Sequence, residues 1–124
     1  MSMKPAKKKL LIADDEPTIR LMVRRIFEQE YVVLEAKNGK EAVELALRHI
    51  PDVILMDVMM PGIDGLTALN TIRNSKSVSA IPVIMFTGAG YELNEALARS
   101  LGAKAYLRKP VNPQELRDAV SKIT

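Results

Sequence analysis

Five short apolar runs recur along the 124-residue chain, and each is followed by a stretch with helical spacing. The runs extend from Lys9 to Ala13, Tyr31 to Glu35, Val53 to Met56, Pro82 to Phe86 and Ala105 to Leu107. Strands that alternate with helices of about ten residues build βαβ units and a mostly parallel sheet. A run such as Val53-Ile54-Leu55-Met56 is apolar throughout rather than at every second position, which marks a strand buried on both faces. In an open α/β sheet the ligand crevice lies outside the carboxyl ends of such strands. Function should therefore be sought in the residues just after each run.

The intervening stretches read as helices. Pro17 to Glu28 places Ile19, Met22, Val23, Ile26 and Phe27 at helical spacing, with proline in the first turn, where its missing N–H costs little. Asn38-Gly39 opens a helix over Lys40 to His49, whose Ala42, Val43, Ala46, Leu47 and Ile50 form one stripe before Pro51 stops it. A third helix is expected from Leu66 to about Asn74. A fourth runs from Glu92 to Ser100, after the glycine-rich Thr87-Gly88-Ala89-Gly90, and ends near Gly102, which suits a left-handed cap. Asn112-Pro113-Gln114-Glu115 sets a fifth from Pro113 to about Ile123. The pattern is (βα)5 in one domain over residues 9–124, preceded by a basic tail over residues 1–8.

The formal charge of +3 is concentrated in that tail. Setting aside Lys4, Lys7, Lys8 and Lys9 leaves 14 of the 18 basic residues against 15 acidic ones, a net of −1. With five scattered aromatic residues there is no stacking platform either, so direct nucleic-acid binding is not expected. No apolar run is long enough to span a bilayer, and no cysteine offers a disulfide, thiolate ligand or nucleophile. A cytoplasmic protein is expected. His49, the only histidine, reads as a partner of its helix C-terminus, and the seven methionines read mostly as core and turn filling.

Four of the five runs end in polar, reactive side chains. Asp14-Asp15 follows the first, Asp57 the third, Thr87 the fourth and Lys109 the fifth. If the first and third strands are neighbours, three carboxylates share one crevice, and either one stays protonated or a cation neutralises them. Hard oxygen ligands without histidine or cysteine select Mg²⁺, with Mn²⁺ as the alternative, over Zn²⁺. Lys109 is a compact cation for an anionic oxygen, and Thr87 a hydroxyl donor beside the N–H groups of a glycine-rich turn. A carboxylate attacking phosphorus forms an acyl phosphate, and a metal, an ammonium and a hydroxyl would hold the three transferring oxygens. Each feature alone is an ordinary cap, turn or solvated loop; their order at four strand ends is what discriminates.

This set resembles the response-regulator receiver domain, the phospho-acceptor module of two-component signalling, and is similar to the single-domain chemotaxis regulators. The resemblance rests on Asp14-Asp15, on Asp57-Val58-Met59-Met60-Pro61-Gly62-Ile63-Asp64-Gly65, on Thr87 and on Lys109-Pro110. It implies a flavodoxin-like, doubly wound sheet in the order 2-1-3-4-5 with helices on both faces. It implies Asp57 as the phospho-acceptor, and a Mg²⁺ site made by Asp14, Asp15, Asp57 and the Met59 backbone carbonyl. Thr87 and Lys109 would contact the phosphoryl group, and Tyr106 would be the aromatic switch that swings inward when Thr87 moves toward it. The implied partners are a histidine kinase or histidine phosphotransfer protein and a downstream protein target. The expected state is a monomer, or a homodimer linked to phosphorylation.

The chain departs from the family pattern at three places. No glycine separates the first helix from Tyr31, so that turn is expected to be tight. Two residues after Asp57 and two after Thr87 stand Met59 and Ala89, neither able to orient a hydrolytic water, which implies slow loss of the phosphoryl group. Met59 also stands where aspartate-nucleophile phosphohydrolases place a second acid, so turnover as an enzyme is not expected. A flavin or nucleotide module of the same topology is disfavoured because acids, not a glycine-rich cradle, follow the first strand. A receiver fold serving only as an unphosphorylated docking module is the remaining alternative. Leu21 falls outside the apolar stripe of the first helix and is expected on the surface.

Overall fold

The computed structural model describes residues 7–124. Most of the expected basic tail lies outside the described residues, and its last member, Lys8, opens the first strand. The elements are β1 (Lys8–Ala13), α1 (Pro17–Phe27), β2 (Tyr31–Ala36), α2 (Gly39–His49), β3 (Val53–Asp57), α3 (Gly65–Arg73), β4 (Val83–Thr87), α4 (Tyr91–Ser100), β5 (Ala105–Arg108) and α5 (Pro113–Ile123). All five strands are parallel, in the order β2-β1-β3-β4-β5.

Alternate residues of each central strand feed two apolar layers. Leu11, Ile54, Met56 and Met85 face one core with Ala42, Ala46, Leu69, Ile72 and Ala98 of α2, α3 and α4. Leu10, Ile12, Leu55, Ile84 and Phe86 face the other with Val23, Phe27, Leu116 and Val120 of α1 and α5. A sheet buried on both faces needs apolar residues at every position, which is why β3 and β4 are buried throughout.

Element ends differ from the sequence reading by about a residue, and local bonds account for the shifts. Lys8 pairs with Tyr31, carrying β1 one residue back. Pro82, expected to start a strand, stands just outside β4 and offers only its carbonyl to Ile54 N–H. Asn38 caps α2 by accepting from Glu41 N–H, and Asn112 caps α5 from Glu115 N–H. The turn without glycine after α1 closes through Glu28 N–H to Arg24 and Glu30 N–H to Phe27. The α2 stripe is narrower than its spacing suggests. Ala42 and Ala46 are buried, whereas Leu47 is exposed within the helix and Ile50 is exposed where a left-handed conformation (φ 48°) carries it off the helix. Leu21 is exposed, as its position predicts.

Candidate phosphoryl-transfer site

Register brings the strand ends together. Ala13 lies beside Met56 and Asp57 beside Phe86, so Asp14 follows β1 next to the end of β3. Asp14, Asp57 and Thr87 are the buried polar residues among those described. Lys109, directly after β5, reaches back across Thr87 and the Phe86 ring toward the acids. Its ammonium donates to Asp57 Oδ2 and to Glu16 Oε1, each at 3.0 Å. It also stands 2.9 Å from Asp14 Oδ2, without the alignment of a hydrogen bond.

The remaining carboxylate oxygens are set by their own turns. Asp14 Oδ1 accepts from Glu16 N–H at 2.8 Å, and Asp57 Oδ1 from Met59 N–H at 3.2 Å. Asp14 Oδ2 is buried with no hydrogen-bond donor. A buried oxygen in that condition is costly without a cation beside it, and the Lys109 ammonium is the cation present. Asp14, Glu16 and Asp57 bring one oxygen each within 4.8 Å of one another, a spacing that can hold a metal ion. Three hard oxygens converging around the Lys109 ammonium form a donor set that fits Mg²⁺.

Electrostatics agree with this geometry. Burial raises the Asp14 carboxyl to about 6, against the lowering pull of Glu16 N–H and Lys109. Burial likewise raises Asp57, offset in part by Lys109 and Met59 N–H. Burial would lower the Lys109 ammonium, but Asp14, Asp57 and Glu16 outweigh it and raise it, so the lysine stays charged. The site is short of positive charge even with Lys109 present.

Not every expected residue joins the cluster. Asp15 is exposed and outside the group of converging oxygens, although its charge is felt at Asp57. Glu16 supplies the third converging oxygen and pairs with the Lys109 ammonium at 3.0 Å. The Thr87 hydroxyl donates to the Ala89 carbonyl of its own turn at 3.1 Å, not to the acids. Tyr106 is already turned inward, with its hydroxyl donating to the Tyr91 carbonyl at 2.8 Å and its ring 4.8 Å from that of Tyr91. Arg108 covers the outer side of Tyr91 at 4.2 Å and pairs with Glu92, tying β5 to the start of α4. The Lys109-Pro110 bond is cis.

Two contributors escaped the sequence reading. Glu16 was visible as the third acid of Asp14-Asp15-Glu16 but carries no role by spacing alone. Gly65, at the start of α3, lets that helix approach β3, and its N–H donates to the Val58 carbonyl at 2.8 Å. The signal was Asp64-Gly65, an N-cap followed by the smallest residue; Asp64 indeed accepts from Thr67 N–H.

A doubly wound parallel sheet with buried acids from two strand ends and a lysine from a third defines a phospho-acceptor module. A family model for the response regulator receiver domain matches residues 10–121, and the chain belongs to that family. It is 36% identical over 116 residues to Protein PilH of Pseudomonas aeruginosa, covering 93% of this chain and 96% of that one. It is 41% identical over 109 residues to the transcriptional regulatory protein ResD of Bacillus subtilis, covering 87% of this chain but 44% of ResD. Thus the chain spans less than half of ResD and nearly all of PilH. Among solved structures, chemotaxis protein CheY4 of Vibrio cholerae superposes with a TM-score of 0.89 at 30% identity, covering 96% and 100% of the two chains.

The chain is a receiver domain with the phospho-acceptor signalling role of two-component response regulators. Such domains interact with histidine kinases and are signalling modules, not enzymes in the ordinary sense. Among the described residues, no helix is long and apolar enough to cross a membrane.

Proposed function

We propose that Asp57 is the phospho-acceptor and that it takes the phosphoryl group from a phosphohistidine of a kinase or phosphotransfer protein, or from a small phosphodonor. A carboxylate oxygen of Asp57 attacks phosphorus, the P–N bond to the donor imidazole breaks, and the electron pair leaves with that nitrogen. The single observation that carries this reading is the convergence of Lys109 Nζ on Asp57 Oδ2 and Asp14 Oδ2, both buried.

Asp14, Asp57 and the Met59 carbonyl, with Asp15 at the rim, are the groups that would hold Mg²⁺ (or Mn²⁺). When bound, the metal supplies charge stabilisation to one phosphoryl oxygen. Lys109 transfers its hydrogen bond from Asp57 Oδ2 to another oxygen of the incoming group. Thr87 releases the Ala89 carbonyl and donates to the third. That release moves the turn before α4, where the Tyr106 hydroxyl holds the Tyr91 carbonyl, and the α4-β5-α5 surface changes with it. Leu93 and Leu97 stand exposed on α4, in support of a protein partner there that reads the change. The domain acts in the cytoplasm as a monomer or a phosphorylation-linked homodimer, without direct nucleic-acid contact of its own.

Intact-mass measurement after incubation with acetyl phosphate and Mg²⁺ tests this reading. Wild type should gain one phosphoryl group and Asp57→Asn none. Equal labelling of both rejects Asp57 as the acceptor, and no labelling of wild type leaves docking without phosphorylation as the role of the fold.

A further inference from the structure

We propose that Arg20 is a positioning residue for the Asp14–Asp15 turn and that Glu35 aims it. The guanidinium of Arg20 is largely buried, with its side chain 13% exposed. Its Nη1 donates to the Asp14 backbone carbonyl at 2.7 Å, and its Nε to Glu35 Oε1 at 3.2 Å. The second Glu35 oxygen accepts from Arg24 Nε at 2.7 Å, and Arg24 Nη2 donates to the Val33 carbonyl at 3.1 Å. Glu35 lies on β2 opposite Ile12 and is not among the converging acids.

This network grips one particular peptide group. The Asp14 N–H donates to the Ala36 carbonyl at 3.0 Å, so β2 holds one side of Asp14 and Arg20 the other. The carbonyl that Arg20 holds belongs to the peptide joining Asp14 to Asp15. Rotation of that peptide changes ψ of Asp14 and φ of Asp15 together, and with them the angle between the two carboxylates. Asp14 is buried in the cluster while Asp15 is exposed beside it, so this angle decides how far Asp15 stands from a cation at Asp14 Oδ2. Arg20 thus acts on the site through the backbone. The role needs a fork that reaches a carbonyl and a carboxylate at once, which guanidinium provides and ammonium does not.

A partly exposed Arg–Glu pair contributes little to stability, whereas an outer group that orients metal ligands typically changes affinity by about 10–100-fold. The two roles are therefore separable. The inference rests on the assignment of Asp14 and Asp15 to the cation, and its test keeps that assignment distinct.

The full chain, as wild type, Arg20→Ala, Arg20→Lys and Arg24→Ala, is titrated with Mg²⁺ while backbone amide resonances and the melting temperature are followed. Arg20→Ala should weaken Mg²⁺ binding by about 10-fold, with Arg20→Lys recovering only part of it. Arg24→Ala, which removes the other partner of Glu35 without touching Asp14, should stay within about twofold of wild type and melt like Arg20→Ala. In metal-free protein, the amides of Asp15 and Glu16 should shift in Arg20→Ala and not in Arg24→Ala. Equal Mg²⁺ affinity in Arg20→Ala and wild type, or equal losses in both alanine variants, overturns the inference. If wild type itself fails to bind Mg²⁺, the cation assignment falls, and the metal-free amide shifts alone decide whether Arg20 sets this turn.

Discussion

Gly65 approaches Asp57 so closely that a Cβ on Gly65 would stand 2.0 Å from the Asp57 carbonyl oxygen and 3.0 Å from the Met85 side chain. Backbone cannot give way as a flexible side chain can, so either α3 or the end of β3 must move. Gly65→Ala should therefore cost about 1–3 kcal/mol in urea unfolding and slow phosphorylation of Asp57. Gly62 makes a useful contrast: at φ 79° a side chain is strained by about 1–2 kcal/mol, but a Cβ there meets open space, so Gly62→Ala should leave phosphorylation intact. Equal slowing of phosphorylation by the two substitutions would refute the close-approach argument.

Acidity should stabilise the metal-free domain through Asp14. Burial raises its folded carboxyl to about 6 from an ordinary 3.8, so the folded state holds this proton more tightly than the unfolded chain. That contribution is fully present below pH 3.8 and is lost as pH rises through about 6. Asp14→Asn should remove this dependence, making the metal-free protein more stable than wild type above pH 6 while weakening Mg²⁺ binding. Mg²⁺ affinity of wild type should fall as pH drops below about 6, because protons compete for the same oxygen. Denaturant midpoints of the two proteins from pH 4 to 8 decide it; parallel curves would contradict the expectation.

The phosphoryl group should persist on Asp57. Met59 is 56% exposed after the acceptor, and Ala89 presents only a methyl group, so neither side chain can orient an attacking water. Decay of the phosphoprotein in Mg²⁺, followed by intact mass, should extend over many minutes, and Met59→Asn should shorten it several-fold. A half-life of seconds in wild type would dispose of this expectation.

Tyr106 joins β5 to α4 through one hydroxyl. Tyr106→Phe leaves the Tyr91 carbonyl without that donor and should cost about 0.5–1.5 kcal/mol. Faster hydrogen exchange should follow at Asn94 and Glu95, at the start of α4, and not in α1. Unchanged exchange in α4 would mean the hydroxyl does not hold this helix.

The element order was legible because its causes are local. Continuous apolar runs mark strands buried on both faces, and Asn38 and Asn112 announce helices three residues before the N–H groups they cap. Reading failed where spacing alone did not decide the outcome. Leu47 and Ile50 read as one stripe with Ala42 and Ala46 yet lie exposed, and Ile50 leaves the helix before Pro51 in a left-handed conformation. Asp15 and Glu16 are equally acidic neighbours, yet it is Glu16 that pairs with Lys109 and lies among the converging oxygens.

Five βα units, the polar residues at four strand ends, and their likeness to a phospho-acceptor domain are all written in the order of the residues. Which of those groups meet was decided by tertiary structure alone. Asp57 and Lys109 stand 52 positions apart, and β4 lies between the strands that carry them. Their 3.0 Å contact depends on parallel register, on burial that raises the acids, and on a glycine small enough to let α3 close behind β3. Side-chain chemistry is encoded residue by residue, whereas distance and dielectric exist only once the sheet has assembled.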